Sequence, residues 1–237
     1  TADAGVVNNT TALDGVPYDG DDVRGTAGDT ITIINPGPGV NVAKSVDFEG
    51  DEIFTPVVPT DPSEYPTATF TLLASNDSTA RASYIRVTDP APCPATDTGQ
   101  CASDGTSEGA LADPFTGDVD WLIPEGGQEN PFNRFDLTGV TIVASIAEEV
   151  DLAASTVWLL RYDGAEYTTE RSTAAAVNDL DAEALADVIG ISVTFQDTDP
   201  ETSGGTITQD NNLSITLDTV LRSHLRDSGE EQWLQAG

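Results

Sequence analysis

The chain has 237 residues, with 41 Asp plus Glu against 9 Lys plus Arg, one His, two Cys, no Met and a formal net charge of −32 at pH 7. That balance excludes unassisted nucleic-acid binding, because each phosphate contact needs a cation, and it excludes attachment to anionic lipid headgroups. It favours solubility and cation attraction, as selected by high salt or by a calcium-rich cell exterior.

The length fits one large β domain or two small ones. Residues 1–36 carry one clear strand, Thr30-Ile-Thr-Ile-Ile34, and run into the linker-like Asn-Pro-Gly-Pro-Gly. Residues 40–90 carry three strands, including Thr67–Leu73, with Ala68, Phe70 and Leu72 on one face, and Ala82–Val87. A polar, Gly- and Asp-rich insertion follows at 91–120. Cys93 and Cys101 lie close together in its Pro-, Gly- and Thr-rich loop and read as a disulfide, which points to an oxidising compartment. Zinc lacks ligands, since His224 is the only histidine.

Residues 121–220 carry at least four more strands: Gly139–Ile146, Thr156–Tyr162, Ile189–Phe195 and Asn212–Leu217. All are β-branched, period-2 segments bounded by Gly, Asp, Asn or Pro. One helix is predicted over Asn178–Val188, capped by Asn178 or Asp179, with Leu180, Ala184, Leu185 and Val188 on one face. It is short and must pack on a sheet to persist. Ala147–Ala154 carries a weaker helical signal that reads equally as a loop, and 222–237 reads as an exit segment. Many short strands separated by turns indicate an antiparallel sandwich. The longest apolar-rich stretch, Leu137–Ala147, falls short of the ~20 residues a membrane span needs. No leader is visible, and the lack of Met suggests a mature chain or an excised fragment.

Several constellations invite chemistry. Calcium takes six to eight oxygens and suits closely spaced carboxylates. The candidates are Asp19, Asp21 and Asp22; Asp118 and Asp120; and Asp197, Asp199 and Glu201, each weighed against a solvated acidic face. Gly105-Thr-Ser107-Glu-Gly109 matches a nucleophile elbow with His224 downstream, but no strand enters it and no helix leaves it. A flexible loop is the better reading, and no catalysis is expected. His224 lies between Arg222 and Arg226 and reads as a surface residue.

Lys44 is the only lysine. In some Gram-positive pilin and adhesin domains a strand lysine condenses with a distant asparagine. Here Asn212 would be the partner, helped by Asp136 or Asp120, and the alternative is a conventional surface lysine. Asn8, Asn9, Asn76 and Asn212 head Asn-x-Ser/Thr sequons. Trp158 is expected in the core, Trp121 sealing the insertion, and Trp233 at an interdomain junction, with an exposed Trp as a carbohydrate platform the alternative use.

Four segments, in order, carry a family resemblance. Pro38-Gly-Val-Asn-Val-Ala-Lys-Ser-Val46 is similar to an opening strand "V-x-V-x-K-S/T". Ala68-Thr-Phe-Thr-Leu-Leu-Ala-Ser-Asn76 with Ile85-Arg-Val-Thr-Asp-Pro90 is similar to "T-x-T-L-T-A-x-N" followed by "L-x-V-T-D-P". Asn130-Pro-Phe-Asn-Arg-Phe-Asp-Leu-Thr-Gly-Val140 resembles "P-F-D-x-x-D-L-T-G-I", and Val188–Phe195 resembles "V-x-G-V-x-V-T-F". Over residues 38–220 the chain thus resembles the domain-of-unknown-function-11-like repeats of large actinobacterial and archaeal surface proteins. Residues 1–36 resemble the tail of a preceding repeat through Asn9-Thr-Thr-Ala12, and the 91–120 insertion has no counterpart in the family.

The expected fold is all-β: an immunoglobulin-like antiparallel β-sandwich over 37–237, with one short helix and a disulfide-pinned polar insertion, preceded by a strand segment or linker at 1–36. The resemblance implies a non-enzymatic extracellular spacer or display module of a cell-surface adhesin, at the cell surface or wall. Its partners would be neighbouring repeats of the same polypeptide, without nucleic acid or membrane insertion. Two alternatives stay open. One is an adhesin head that recognises a glycan or protein, on a host or cell surface, through residues 91–120. The other is an assembly subunit of a surface layer or filament from a halophile.

Overall fold

A computed structural model describes residues 5–15, 23–33, 39–49, 64–90, 111–116, 120–123, 130–199 and 204–231. The chain divides into two compact units, residues 1–37 and 38–237. In the first, β1 (Gly5–Gly15) pairs antiparallel with β2 (Val23–Ile33) in unbroken register, from Gly5 opposite Ile33 to Gly15 opposite Val23. The expected strand at Thr30–Ile34 is the end of β2. β1 escapes a sequence reading because Asn8-Asn-Thr-Thr11 interrupts its apolar residues.

The second unit is a β-sandwich of two antiparallel four-stranded sheets. The first sheet has the order β3 (Val40–Glu49), β4 (Thr67–Asn76), β10 (Asn212–Leu221), β6 (Phe135–Ala144). The second has the order β5 (Tyr84–Asp89), β9 (Val188–Asp197), β7 (Val150–Tyr162), β8 (Tyr167–Thr173). Alternation builds the core. Ala68, Phe70, Leu72 and Ala74 of β4 and Leu213, Ile215 and Leu217 of β10 are buried on one side. Ile85, Val87, Val157, Leu159, Ile191, Val193 and Phe195 are buried on the other. β9 is buried at nearly every position, so its outer face is covered as well. Asn130 caps a 3-10 turn at Pro131–Asn133 that leads into β6.

The expected helix at Asn178–Val188 is corrected: within it only one turn, α2 (Ala182–Leu185), is helical and Val188 already begins β9, while a separate turn, α1 (Ala174–Val177), precedes it. Their caps are Thr173 and Asp181, whose side chains accept from Ala176 N and Ala184 N. Asn178 serves β6 instead: its Oδ1 accepts from Ile142 N at 2.7 Å and its Nδ2 donates to Ile142 O at 3.0 Å. A side-chain amide thus stands in for a neighbouring strand and blunts a sheet edge. Residues 147–154 form a 3-10 turn at Ala147–Glu149 and then the bulged start of β7, where Asp151 Oδ1 accepts from Ala153 N and Ala154 N. β8 was not legible, because Tyr-Thr-Thr-Glu-Arg-Ser-Thr is a mostly exposed edge strand.

β3 is antiparallel to β4 and β4 to β10, so β3 and β10 run parallel within one sheet. Asn41 lies opposite Ser75, which lies opposite Asn212; at the other end Glu49 lies opposite Thr67, and Thr67 opposite Val220. The chain therefore enters the second unit at the pole of Val40 and leaves β10 at the opposite pole.

Candidate functional site

Two constellations stand out on this scaffold. The first covers the outer face of β5-β9-β7-β8. Trp158 Nε1 donates to Leu111 O at 3.0 Å, and Arg86 Nη2 donates to Ala112 O at 2.7 Å. Phe115 packs edge-on against Trp121 with ring centroids 5.4 Å apart, and Phe115, Trp121 and Leu122 are all buried. Arg86 Nε also donates to Ser192 Oγ; burial lowers its guanidinium from the ordinary value, opposed by Asp113. Residues 111–116 and 120–123 thus form a strap over the sheet, and Asn130 Nδ2 ties it down by donating to both Trp121 O and Ile189 O.

Asp120 closes the strap: Oδ1 accepts from Leu122 N, Ile123 N and Tyr167 Oη. Burial, then the Asp120 bond and charge, push the Tyr167 phenol above its ordinary 10.0. A raised acid holds its proton longer in the folded state, so this contribution is fully present below that value and disappears as pH rises through the folded-state one. Phenolate absorbance is therefore expected to show a late-ionising step that belongs to Tyr167 and is abolished in Tyr167→Phe. A titration curve unchanged by Tyr167→Phe would disprove the Asp120 contact.

The second constellation lies at the exit pole. Arg222 and Arg226 both donate to Asp136 Oδ1. The Arg226 side chain is only 6% exposed and also donates through Nε to Phe132 O and through Nη2 to Ala186 O. Burial, with Arg222 beside it, lowers its guanidinium to about 10, against the pull of Asp136 and Asp187; it is a cation at neutral pH. Asn133 Oδ1 accepts from Arg226 N and Asp227 N, so main chain and side chain together clasp the exit segment to the turn before β6. Arg161 extends the network to Glu170, Asp187 and Ala184 O.

Beside the clasp is a depression of about 270 Å³ lined by Tyr162, Asp163, Gly164, Ala186, Asp187, Arg222 and Arg226. Tyr162 stacks on Tyr167, with ring centroids 4.9 Å apart. The amides of Glu166 and Ala165 hold the Asp163 carboxyl below its ordinary value. The sequence carries a signal for this site: Arg222 and Arg226 are two of nine cations, placed four residues apart in a chain of 41 acids. His224 itself is exposed, with Nδ1 at 2.9 Å from Ser223 Oγ.

The other candidates fall as follows. Asp19, Asp21, Asp22, Asp118, Glu201, Cys93, Cys101, Trp233 and the Gly105–Gly109 motif lie outside the described residues. Asp199 is exposed, whereas Asp197 continues the inward row of β9 and is 2% exposed. Its Oδ1 accepts from Gln196 Nε2, and Oδ2 is the one buried side-chain atom without a partner among the described residues. Among those residues no three acidic, His or Cys side chains are grouped as a metal site.

Lys44 is not beside Asn212. It lies opposite Leu72 on β3, its Nζ donates to both Asp89 oxygens at 2.9 and 2.7 Å, and it sits 5.6 Å from the centre of the Phe70 ring. Asp136 and Asp120, the proposed helpers, are spent on Arg222 and Arg226 and on Tyr167. Asn76 is buried and donates to Ala80 O and Ile207 O, which closes that sequon in the folded chain, while Asn212 is exposed. Trp158 is partly buried and packs against the hydrophobic core from the outer, strap-covered face, whereas Val157 and Leu159 lie between the sheets; Trp121 is buried. No family model, curated protein or solved structure matches this chain.

Proposed function

We propose that the second unit is a non-enzymatic spacer or display module of a large extracellular surface adhesin. The observation that carries this reading is the parallel course of β3 and β10. A module entered at one pole and left at the other adds about 30 Å of contour from ten strand residues. Tension between those ends runs along the strands, so the β3–β4 and β4–β10 ladders share the load in shear. The exit clasp at Asp136, Arg222 and Arg226 extends this grip beyond β10. Display fits the same scaffold: within the 91–120 insertion, the carbonyls of Leu111 and Ala112 are held by Trp158 and Arg86. A rigid base for an exposed loop is the usual arrangement for recognition.

The test is mechanical anisotropy. Attached through residues 39 and 222, the unit is expected to yield in one high-force step. Attached through Gly39 and Asp77, neighbours joined by the Asp77 N to Gly39 O bond at 2.8 Å, it should unzip β3 at much lower force. Equal forces in the two geometries would sink the spacer reading.

A further inference from the structure

We propose that the exit-pole depression is a binding site for one neutral, hydroxyl-rich ring, a single saccharide unit. This goes beyond the spacer reading and does not depend on it. The residues that line it carry unspent polar atoms of both kinds. Among the described residues, Arg226 Nη1 has no acceptor, although the rest of that guanidinium is held by Asp136, Phe132 O and Ala186 O. Asp163 Oδ1 is taken by Ala165 N and Glu166 N, and Asp187 Oδ1 by Arg161, which leaves each Oδ2 without a donor among those residues. The Tyr162 hydroxyl likewise has no partner there, while its ring is held by Tyr167.

Charge decides the ligand class. An anion would gain from Arg222 and Arg226 but meet Asp163 and Asp187; a cation meets the reverse. A hydroxyl both donates and accepts, so a polyol uses both walls without a charge penalty. The net charge of −32 further disfavours acidic glycans. A tyrosine ring beside these groups offers an apolar face for the C–H face of a sugar. Size agrees: about 270 Å³ is below the ~300 Å³ at which drug-sized pockets begin, enough for one ring. The rim is open at Gly164, where φ is +98° and an added Cβ would touch nothing. A site this small and open implies binding in the millimolar range, about −4 kcal/mol.

The test is saturation-transfer NMR on the 237-residue chain with the methyl glycosides of glucose, galactose, mannose and N-acetylglucosamine at millimolar concentration. Transfer to the ring protons of at least one is expected. It should be lost in Tyr162→Ala and weakened in Asp163→Asn, in which the amide oxygen can still accept from the turn and the fold is retained. Asp77→Asn at the entry pole should leave it unchanged. The proposal is overturned if none of the four sugars receives transfer. It is overturned equally if transfer survives both site variants, or if glycine or acetate competes more strongly than any glycoside.

Discussion

Gly205→Ala is expected to cost about 3–5 kcal/mol, the sum of a strained backbone and a steric overlap of ~1–3 each with little room to relax. Gly205 has φ +77°, and a Cβ there would lie 2.2 Å from Ala82 O and 2.3 Å from both Ala82 C and Ser83 N. These are backbone atoms of a segment that cannot retreat. Ala82 N donates to Ile207 O at 2.9 Å, and Ile207 N donates to Ala82 O at 3.1 Å. Asn76 Nδ2 donates to the same Ile207 carbonyl, and the Ile207 side chain is fully buried. A loss of this size is a large share of the ~5–15 kcal/mol that stabilises a typical domain. Urea unfolding should show a lower midpoint with an unchanged slope. Gly204→Ala is the control: φ is +91° but a Cβ meets nothing, so only backbone strain of ~1 kcal/mol is expected. Equal losses in the two variants would show that close packing at Ala82 is not what requires the glycine.

Asn130→Ala should be the next most damaging, at about 3 kcal/mol. The residue is 2% exposed, its Nδ2 donates to Trp121 O at 2.9 Å and Ile189 O at 2.8 Å, and its Oδ1 accepts from Phe132 N at 3.0 Å. Truncation removes a partner from three backbone groups at once, each worth ~1–3 kcal/mol when left buried and unpaired. Partial relaxation and water entry keep the total below the sum. Because Asn130 joins the strap to β9, loosening should reach Trp121, so a red shift of tryptophan emission before global unfolding is expected. Asn130→Asp retains the acceptor for Phe132 N yet loses both donated bonds and buries a charge, and is expected to be no better. A cost under ~1 kcal/mol with unchanged emission would mean that the strap is held without this amide.

The exit pole shows why sites of this kind resist prediction. Tyr162, Asp187, Arg222 and Arg226 are separated by up to 64 positions in the chain and meet only because β7, the start of β9 and the end of β10 finish at the same pole. Lys44 makes the same point. Its place on the opening strand was legible, but its partner Asp89 was not, because the pairing runs between the two sheets. Trp158 lies on the strand expected for it, but its face is set by tertiary structure, since a strap covers the outer side of β9 and β7 and makes both faces apolar enough to bury.

The sequence by itself determined the all-β class and the approximate places of the interior strands. β4, β7, β9 and β10 each hold their apolar residues in a period-2 or continuous run that only a pleated, half- or fully buried surface satisfies. It also determined the uneven supply of charge, 9 cations against 41 acids. Only the tertiary structure decided the exposed or interrupted strands β1 and β8, the shortening of the helix to one turn, and the partners of the few cations. Edge strands owe their conformation to a neighbour's ladder rather than to their own pattern. Asn178 is drawn from a capping position to the edge of β6 by two hydrogen bonds that span 36 residues. Local pattern carries information over a turn or a pleat. Register, poles and ion pairs follow from which sheet each strand joins, and that is settled by the burial of the whole core.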